Sequence, residues 1–446
     1  MIVPSARLLF WTATVTISAS LIAAAAPGAG GAALAAVVLL GIVVLIDAAG
    51  ASGRLSGVAI ELPPIVRMSV GREQSFDVRI RNEGGHAAIF RVALGLPSQI
   101  SASVEELAVQ APADAEWSRF EWTCAGAVRG AYPVSAAYVE GPSRWGFWAA
   151  RKTTPVRCEI RVYPNLWKER HNLAALFLRR GAFGVHAQRQ VGKGRDFEKL
   201  REYLPGDAYD EIDWKGSARR GKPVTRVFQI EKTQEVYAVI DASRLSARPV
   251  RSSDESSDET TVLERMMAAA LVLAVAAEQQ GDLFGLIAFS DRVDRFVRSK
   301  NGKAHYSACR DALYTLRSRP VTPDFDELCS FIRVRMRRRA LIVFLTSLDD
   351  PVIAEGFVRG VELVRRQHVA LAQTIQQDGV GPLFTDHPAS IDDVYARLGG
   401  QLRWNRLRQL ERTLKRRGVH LTMVENEKLS ASVVSQYLSV KRRQLI

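Results

Sequence analysis

The chain has 446 residues, enough for two or three domains, and its 47% apolar and 24% charged content excludes wholesale disorder. Its four cysteines, Cys124, Cys158, Cys309 and Cys329, lie far apart without CxxC spacing, which excludes a disulfide framework and a zinc pattern. The net charge of +14 raises nucleic-acid binding. However, the basic runs at Arg335 to Arg339, Arg403 to Arg417 and Lys441 to Arg443 accompany no nucleic-acid motif. No nucleic-acid partner is therefore expected, and attraction to anionic membrane lipid uses the same excess.

The first fifty residues carry almost no charge. Leu8 to Ala26 is an uncharged run close to the roughly 20 residues that span a bilayer. Pro27, Gly28, Gly30 and Gly31 interrupt it, and Ala32 to Ile46 is a second apolar run that reaches spanning length if Ala29 to Gly31 join it. Two transmembrane helices, about 8–26 and 29–46 within a segment 1–53, are expected to pair as a hairpin, because lipid offers a backbone no hydrogen-bond partners. A cleaved signal peptide and a buried soluble hairpin are the alternatives. Arg7 precedes the first run, Arg54 and Arg67 follow the second, and the connection is uncharged. The positive-inside rule then puts both ends, and the soluble domains, in the cytoplasm of a multi-pass plasma-membrane protein.

Residues 54–165 read as a small antiparallel β-sandwich. In SFDVRIRN, Phe76, Val78 and Ile80 alternate with Asp77, Arg79 and Arg81, and further short strands recur between Gly and Pro signals. Residues 233–446 alternate strands and helices: EVYAVIDAS, a largely apolar helix over Val262 to Gln280, DLFGLIAFS, ALIVFLTS, VALAQTI and HLTMVE. That pattern indicates a mainly parallel sheet covered on both faces, with ligands expected beyond the carboxyl ends of its strands. RSSDESSDETT, Arg251 to Thr261, reads as a polar loop.

Between them, in 166–232, lies GKGRDFEKLREYLPGDAYDEIDWKGSARR, Gly192 to Arg220. Phe197, Leu200 and Tyr203 follow helical spacing, Pro205-Gly206-Asp207 is a turn signal, and Ile212 and Trp214 alternate with Asp213 as a strand edge would. Arg201 or Arg219 against Asp207 or Asp213 would make a charge-assisted clasp joining the sandwich to the α/β domain. A partner-binding surface is the second reading. The third is a membrane-bound hydrolase with Asp207, Asp210 and Asp213 as acid–base groups and Lys215 and Arg219 as anion ligands. No GxSxG, HExxH or Walker A spacing accompanies it, so a non-enzymatic protein is expected.

The ordered run from Phe197 to Asp207 and then Ile212 to Arg219 resembles the bacterial domain of unknown function 58 family, as do the paired apolar runs, GPSRWGFW and the C-terminal YLSVKRR. The resemblance implies a multidomain chain: a transmembrane hairpin, a β-sandwich and a von Willebrand factor A-like, Rossmann-type α/β domain in the bacterial inner membrane. It also implies association with a MoxR-type AAA+ ATPase, often with a transglutaminase-like membrane protein, and thus an adaptor.

A von Willebrand A domain presents D-x-S-x-S to a cation such as Mg²⁺. Here Asp241 and Ser243 match, but Leu245 takes the third ligand position and Ser246 falls one residue late. After the central strand, LTSLDD offers Ser347 and later Asp349 and Asp350, and no threonine near GKAHYSA completes the set. A degenerate Mg²⁺ site and a capped strand end both remain open, since Mg²⁺ tolerates poor geometry reluctantly.

Overall fold

The computed structural model describes residues 1–51, 53–83, 88–112, 115–167, 191–205, 208–229, 233–250, 260–382 and 390–443. Gly206, Asp207 and most of the RSSDESSDETT run lie outside these residues. The chain divides into two compact units, Met1–Asn165 and Leu166–Ile446.

In the first unit, a short strand β1 (Ile2–Pro4) leads into helix α1 (Ala6–Ala25), capped by Ser5, and a single turn at Pro27–Ala29 leads into α2 (Gly30–Ala51). Both helices turn apolar side chains outward almost all round; Leu9, Phe10, Leu21, Leu34, Leu39 and Leu45 are all exposed. Thr12, Thr14, Thr16 and Ser20 return their hydroxyls to carbonyls one turn back, so α1 offers few unmatched polar groups. An apolar exterior of this extent is stable only in lipid, and the two helices form a membrane-anchoring segment. The second helix continues past the expected limit at Ile46, because Asp47 finds protein partners rather than breaking the helix.

The strands that follow are β2 (Val58–Glu61), β3 (Ile65–Ser69), β4 (Glu73–Asn82), β5 (Ala88–Leu94), β6 (Ile100–Ala102), β7 (Leu107–Ala111), β8 (Trp117–Gly126), β9 (Gly130–Pro142) and β10 (Trp148–Tyr163). One sheet runs β1-β10-β9-β5-β7, with β3 parallel to the far end of β10; the other runs β2-β4-β8-β6. Their inner faces share one core, to which β4 contributes Phe76, Val78 and Ile80, the residues its alternation selects.

The second unit opens with a two-stranded ribbon, β11 (Val191–Glu202) against β12 (Val224–Gln229), pairing Phe197 with Phe228 and Leu200 with Arg226. The helix expected through Phe197, Leu200 and Tyr203 is therefore a strand. Two turns of apolar spacing do not repay helix nucleation, whereas the β-branched and aromatic run VTRVFQ supplies a strand partner. Within the loop of this ribbon, Asp213 caps a short helix α3 (Trp214–Arg220), and Gly221 ends it at φ 66°. The expected strand edge at Ile212 and Trp214 reduces to one bridge, Ile212 to Thr225. An aspartate positioned to accept from a helical N–H outweighs a three-residue alternation.

The α/β sheet is built from β13 (Glu235–Asp241), β16 (Leu283–Phe289), β17 (Val293–Lys300), β18 (Ala340–Leu345), β19 (Val369–Ile375) and β20 (His420–Val424), while β14 (Pro249–Val250) and β15 (Thr260–Thr261) form a small side ribbon. Sheet order is β17-β16-β13-β18-β19-β20, all parallel except β17, which hairpins back onto β16. Helices α4 (Val262–Gln279), α5 (Lys303–Leu313), α6 (Phe325–Arg335), α7 (Pro351–Val364), α8 (Ile391–Arg416) and α9 (Leu429–Arg442) accompany it. Val236, Ala238 and Ile240 face α4 and α9, while Tyr237 and Val239 face α6 and α7. Burial on both faces is why β13 reads as a continuous apolar run. Strand order reverses at β13, so its carboxyl end opens the crevice of the sheet.

Candidate functional site

Asp241 is the last residue of β13 and 1% exposed. Its Oδ1 accepts from the Ser243 N–H at 2.9 Å and its Oδ2 from the Thr346 hydroxyl at 2.6 Å. The Ser243 hydroxyl also favours the charged carboxylate, although it makes no well-formed hydrogen bond. Burial nevertheless dominates and raises the Asp241 pKa above the usual carboxylate value. Thr346, rather than Ser347 that LTSLDD offers first, is the hydroxyl at this carboxylate. Its signal was available: a hydroxyl directly following a buried central strand that pairs with β13.

The third position of the motif is apolar. Leu245 is buried and packs with Tyr237, Val239 and Phe289 in the core beneath the crevice. Ser246 does not bulge toward Asp241; its hydroxyl donates to the Ser243 carbonyl at 2.7 Å and closes the turn. With one ligand position apolar and both carboxylate oxygens engaged, these residues do not fit an octahedral cation.

The acids expected to complete the site are spent elsewhere. Asp349 accepts from Arg248 at 2.7 Å and from Gln377, and its desolvation raises its pKa despite the arginine. Asp350 pairs with Arg244 at 3.2 Å and caps α7 through the Val352 N–H at 2.9 Å. On the other side of β13, Arg319 donates to Asp291 at 2.6 Å and to Asp294 at 3.4 Å, while its backbone N–H meets the Ala242 carbonyl at 2.7 Å. The hydrogen bond from Ser290, then the charge of Arg319, holds Asp291 below the usual carboxylate range. The mouth of the crevice is thus rimmed by arginine–carboxylate pairs above a sealed aspartate.

The signature stretch has a different geometry. Asp213 Oδ1 accepts from the Gly216 N–H at 2.9 Å, and its Oδ2 lies 3.5 Å from Arg226 Nε. The Gly216 hydrogen bond first, with the Arg226 charge, lowers its pKa, which keeps it ionised and unsuited to donating a proton. Arg226, not Arg201 or Arg219, is the ionic partner of Asp213 in this structure; Arg219 is exposed in the last turn of α3 and Arg201 is half-buried on β11. Trp214 is exposed, whereas Ile212 is buried. Tyr203 and Tyr209 face each other with ring centroids 6.5 Å apart. Among the described residues, no three His, Cys, Asp or Glu side chains cluster as metal ligands.

Residues 199–379, from β11 to the loop after β19, match the family described as "Protein of unknown function DUF58". A DUF58 domain is present. It contains the Asp213 cap, the Asp241 site and the arginine rim. No curated protein matches the chain. Among solved structures, the chain is similar to the conserved hypothetical protein BatB from Bacteroides thetaiotaomicron at 11% identity and a TM-score of 0.29, covering 47% of this chain and 99% of that one. It is also similar to proximal thread matrix protein 1 from the mussel byssus at 13% identity and a TM-score of 0.27, spanning 46% of each chain. An aerotolerance-related membrane protein from Bacteroides fragilis NCTC 9343 matches at 9% identity and a TM-score of 0.25, covering 46% of this chain and 99% of that one.

Proposed function

We propose that the protein is a membrane-anchored cytoplasmic adaptor whose DUF58, von Willebrand A-like domain docks a MoxR-type AAA+ ATPase, with a transglutaminase-like membrane protein as a further member of the assembly. The observation that carries this reading is the sealed Asp241 under a rim of Arg244, Arg248 and Arg319, each paired with an acid. A partner approaching the strand ends meets charge-assisted hydrogen-bonding groups rather than a cation with an open coordination position, and polar rims of this kind confer orientation and specificity. Binding is then metal-independent. The cytoplasmic placement rests on Arg7, Arg54 and Arg67 flanking an uncharged connection.

Affinity purification of the full chain from detergent-solubilised native membranes tests the proposal. The expected result is enrichment of an AAA+ ATPase that persists when divalent cations are chelated. If no such ATPase is enriched over an untagged control, the adaptor reading fails; loss of the ATPase on chelation of cations at the docking step rejects metal-independence. Protease treatment of intact cells should leave the bulk of the chain undigested, and its digestion would invert the topology.

A further inference from the structure

The turn between β9 and β10, Ser143 to Phe147, is bonded to the ends of both apolar helices. Asp47, buried near the end of α2, accepts from the Ser143 hydroxyl, the Trp145 N–H at 3.1 Å and the Phe147 N–H at 3.2 Å. The indole N–H of Trp148 reaches deeper along the same helix, donating to the Val44 carbonyl at 3.0 Å. From α1, the capping residue Ser5 donates its hydroxyl to the Gly146 carbonyl at 2.5 Å and its N–H to the Phe147 carbonyl at 2.9 Å. Gly146 has φ 78°, a left-handed conformation that favours glycine, and Arg7 lies over it, with its Nη1 3.1 Å from where a Cβ would stand. β1 adds a further tie, pairing with Trp148 to Ala150.

This grip uses the backbone of Trp145 but not its side chain, and it leaves Arg144 unused. Both side chains are exposed, Trp145 by 45%. Val44 is three residues nearer the hairpin tip than Asp47, about 4.5 Å along a helix. A turn bonded at both levels is therefore fixed at the depth where lipid-facing helix gives way to polar protein. On the membrane-anchoring reading of α1 and α2, that depth is the headgroup layer, where indoles concentrate because one edge is apolar and the N–H is polar.

We propose that Arg144 and Trp145 form a bilayer-contact wedge, with the Trp145 indole seated in the interfacial layer and the Arg144 guanidinium on lipid phosphates. The occupant is the bilayer because the patch is continuous with two lipid-facing helices and because its exposed charge, Arg144, is cationic while Asp47 is buried under the turn. The wedge would fix the tilt of the sandwich on the membrane, with rigid hydrogen bonds transmitting the constraint from helix ends to β9 and β10. The inference rests on the membrane-anchoring reading of α1 and α2, and its test separates the two.

The four native cysteines are buried, so single introduced cysteines can be labelled selectively with an environment-sensitive fluorophore. Trp145→Cys, Ile17→Cys on the exposed face of α1, and Val128→Cys in the turn between β8 and β9, beside the far end of β10, are reconstituted in full-length protein into phosphatidylcholine–phosphatidylglycerol vesicles. Spin-labelled lipids with the nitroxide near the headgroup or near the chain end act as quenchers. The label at 145 is expected to be quenched several-fold more by the shallow quencher than by the deep one, with the label at 128 insensitive to both. Quenching at 17 but none at 145 overturns the wedge alone. No quenching at 17 removes the membrane anchor and the wedge with it. Arg144→Gln in the labelled protein should lower the quenching gained when phosphatidylglycerol replaces phosphatidylcholine; an unchanged gain rejects the phosphate contact.

Discussion

Lys441 Nζ donates to Asp282 Oδ2 at 2.8 Å, binding the last helix, α9, to the start of β16. Asp282 is 1% exposed and also receives the Tyr437 hydroxyl and the Gln234 N–H. Tyr437 and Lys441 stand one helical turn apart, which is how the run YLSVKRR delivers two donors to one carboxylate. Burial, reinforced by the Asp282 charge, raises the Tyr437 pKa far above its ordinary value, which favours the protonated phenol that donates to Asp282.

That arrangement predicts an asymmetric response. Asp282→Ala leaves the Tyr437 hydroxyl and the Gln234 N–H without their buried acceptor, while Lys441 keeps the Gln280 carbonyl at 2.9 Å, and should cost about 1–3 kcal/mol for each unmet donor. Lys441→Met alone leaves the carboxylate with two donors and should cost less. Combining Asp282→Asn with Lys441→Met should recover part of the loss, because no uncompensated charge then remains. Urea unfolding of detergent-solubilised protein checks the order; equal costs for the two single variants would mean the pair does not act as a latch.

The sealed Asp241 makes a second prediction. Thr346→Val removes the side-chain hydroxyl that donates to its Oδ2 and leaves a buried acceptor unmet, for about 1–3 kcal/mol. Because burial already raises the Asp241 pKa, folding favours its protonated form. Its contribution is greatest at low pH and is lost as pH rises from the ordinary value of 3.8 through the higher folded value. Mg²⁺ should not shift the thermal midpoint of the wild type, whereas a ligand present at a hundred times its Kd would add about 2.7 kcal/mol. A stabilisation of that order by millimolar Mg²⁺ would mean that Leu245 does not close the position.

Much of this architecture was legible because burial imprints itself on period. The alternation of Phe76, Val78 and Ile80 gave a half-buried strand, and the unbroken apolar runs of β13 and β18 gave strands covered on both faces. The apolar runs of α1 and α2 were equally plain. What sequence did not carry was pairing at a distance. The second apolar run ends at Ile46, and only the Ser143–Phe147 turn, nearly a hundred residues later, makes Asp47 an interior residue of a longer helix. Phe197, Leu200 and Tyr203 satisfied helical spacing over too short a length to outweigh a β partner that enters at Val224. At the crevice, the motif gave Asp241, Ser243 and the defect at Leu245, but the choice of Thr346 over Ser347 depends on the register of β18 against β13.

His368, just before β19, supplies a pH handle. It is 4% exposed, and neither ring nitrogen has a hydrogen-bond partner among the described residues. Burial alone depresses its pKa below 6.5. The unfolded chain therefore binds a proton in a range where the folded chain does not, and stability falls as pH drops through 6.5 toward the lower folded value. Above 6.5 this residue contributes no pH dependence, since both states are neutral. His368→Leu should flatten that part of the profile, measured as urea midpoints between mildly acidic and neutral pH; an unchanged slope would assign it to other groups.

Ile212 and Trp214 separate the two descriptions of the signature stretch. If Trp214 were the apolar anchor of a strand edge, truncating it would be costly. In the structure its side chain is 66% exposed while Ile212 is 5% exposed and bridges to Thr225. Trp214→Ala should therefore change stability by no more than about 0.5 kcal/mol, as exposed substitutions do, while Ile212→Ala should cost about 2–5 kcal/mol. Asp213→Ala removes the cap of α3 and should fall between them, near 1 kcal/mol. Should Trp214→Ala prove destabilising, the indole packs against the fold and the strand-edge description stands. Should it weaken recovery of the ATPase instead, with stability unchanged, Trp214 belongs to the docking surface.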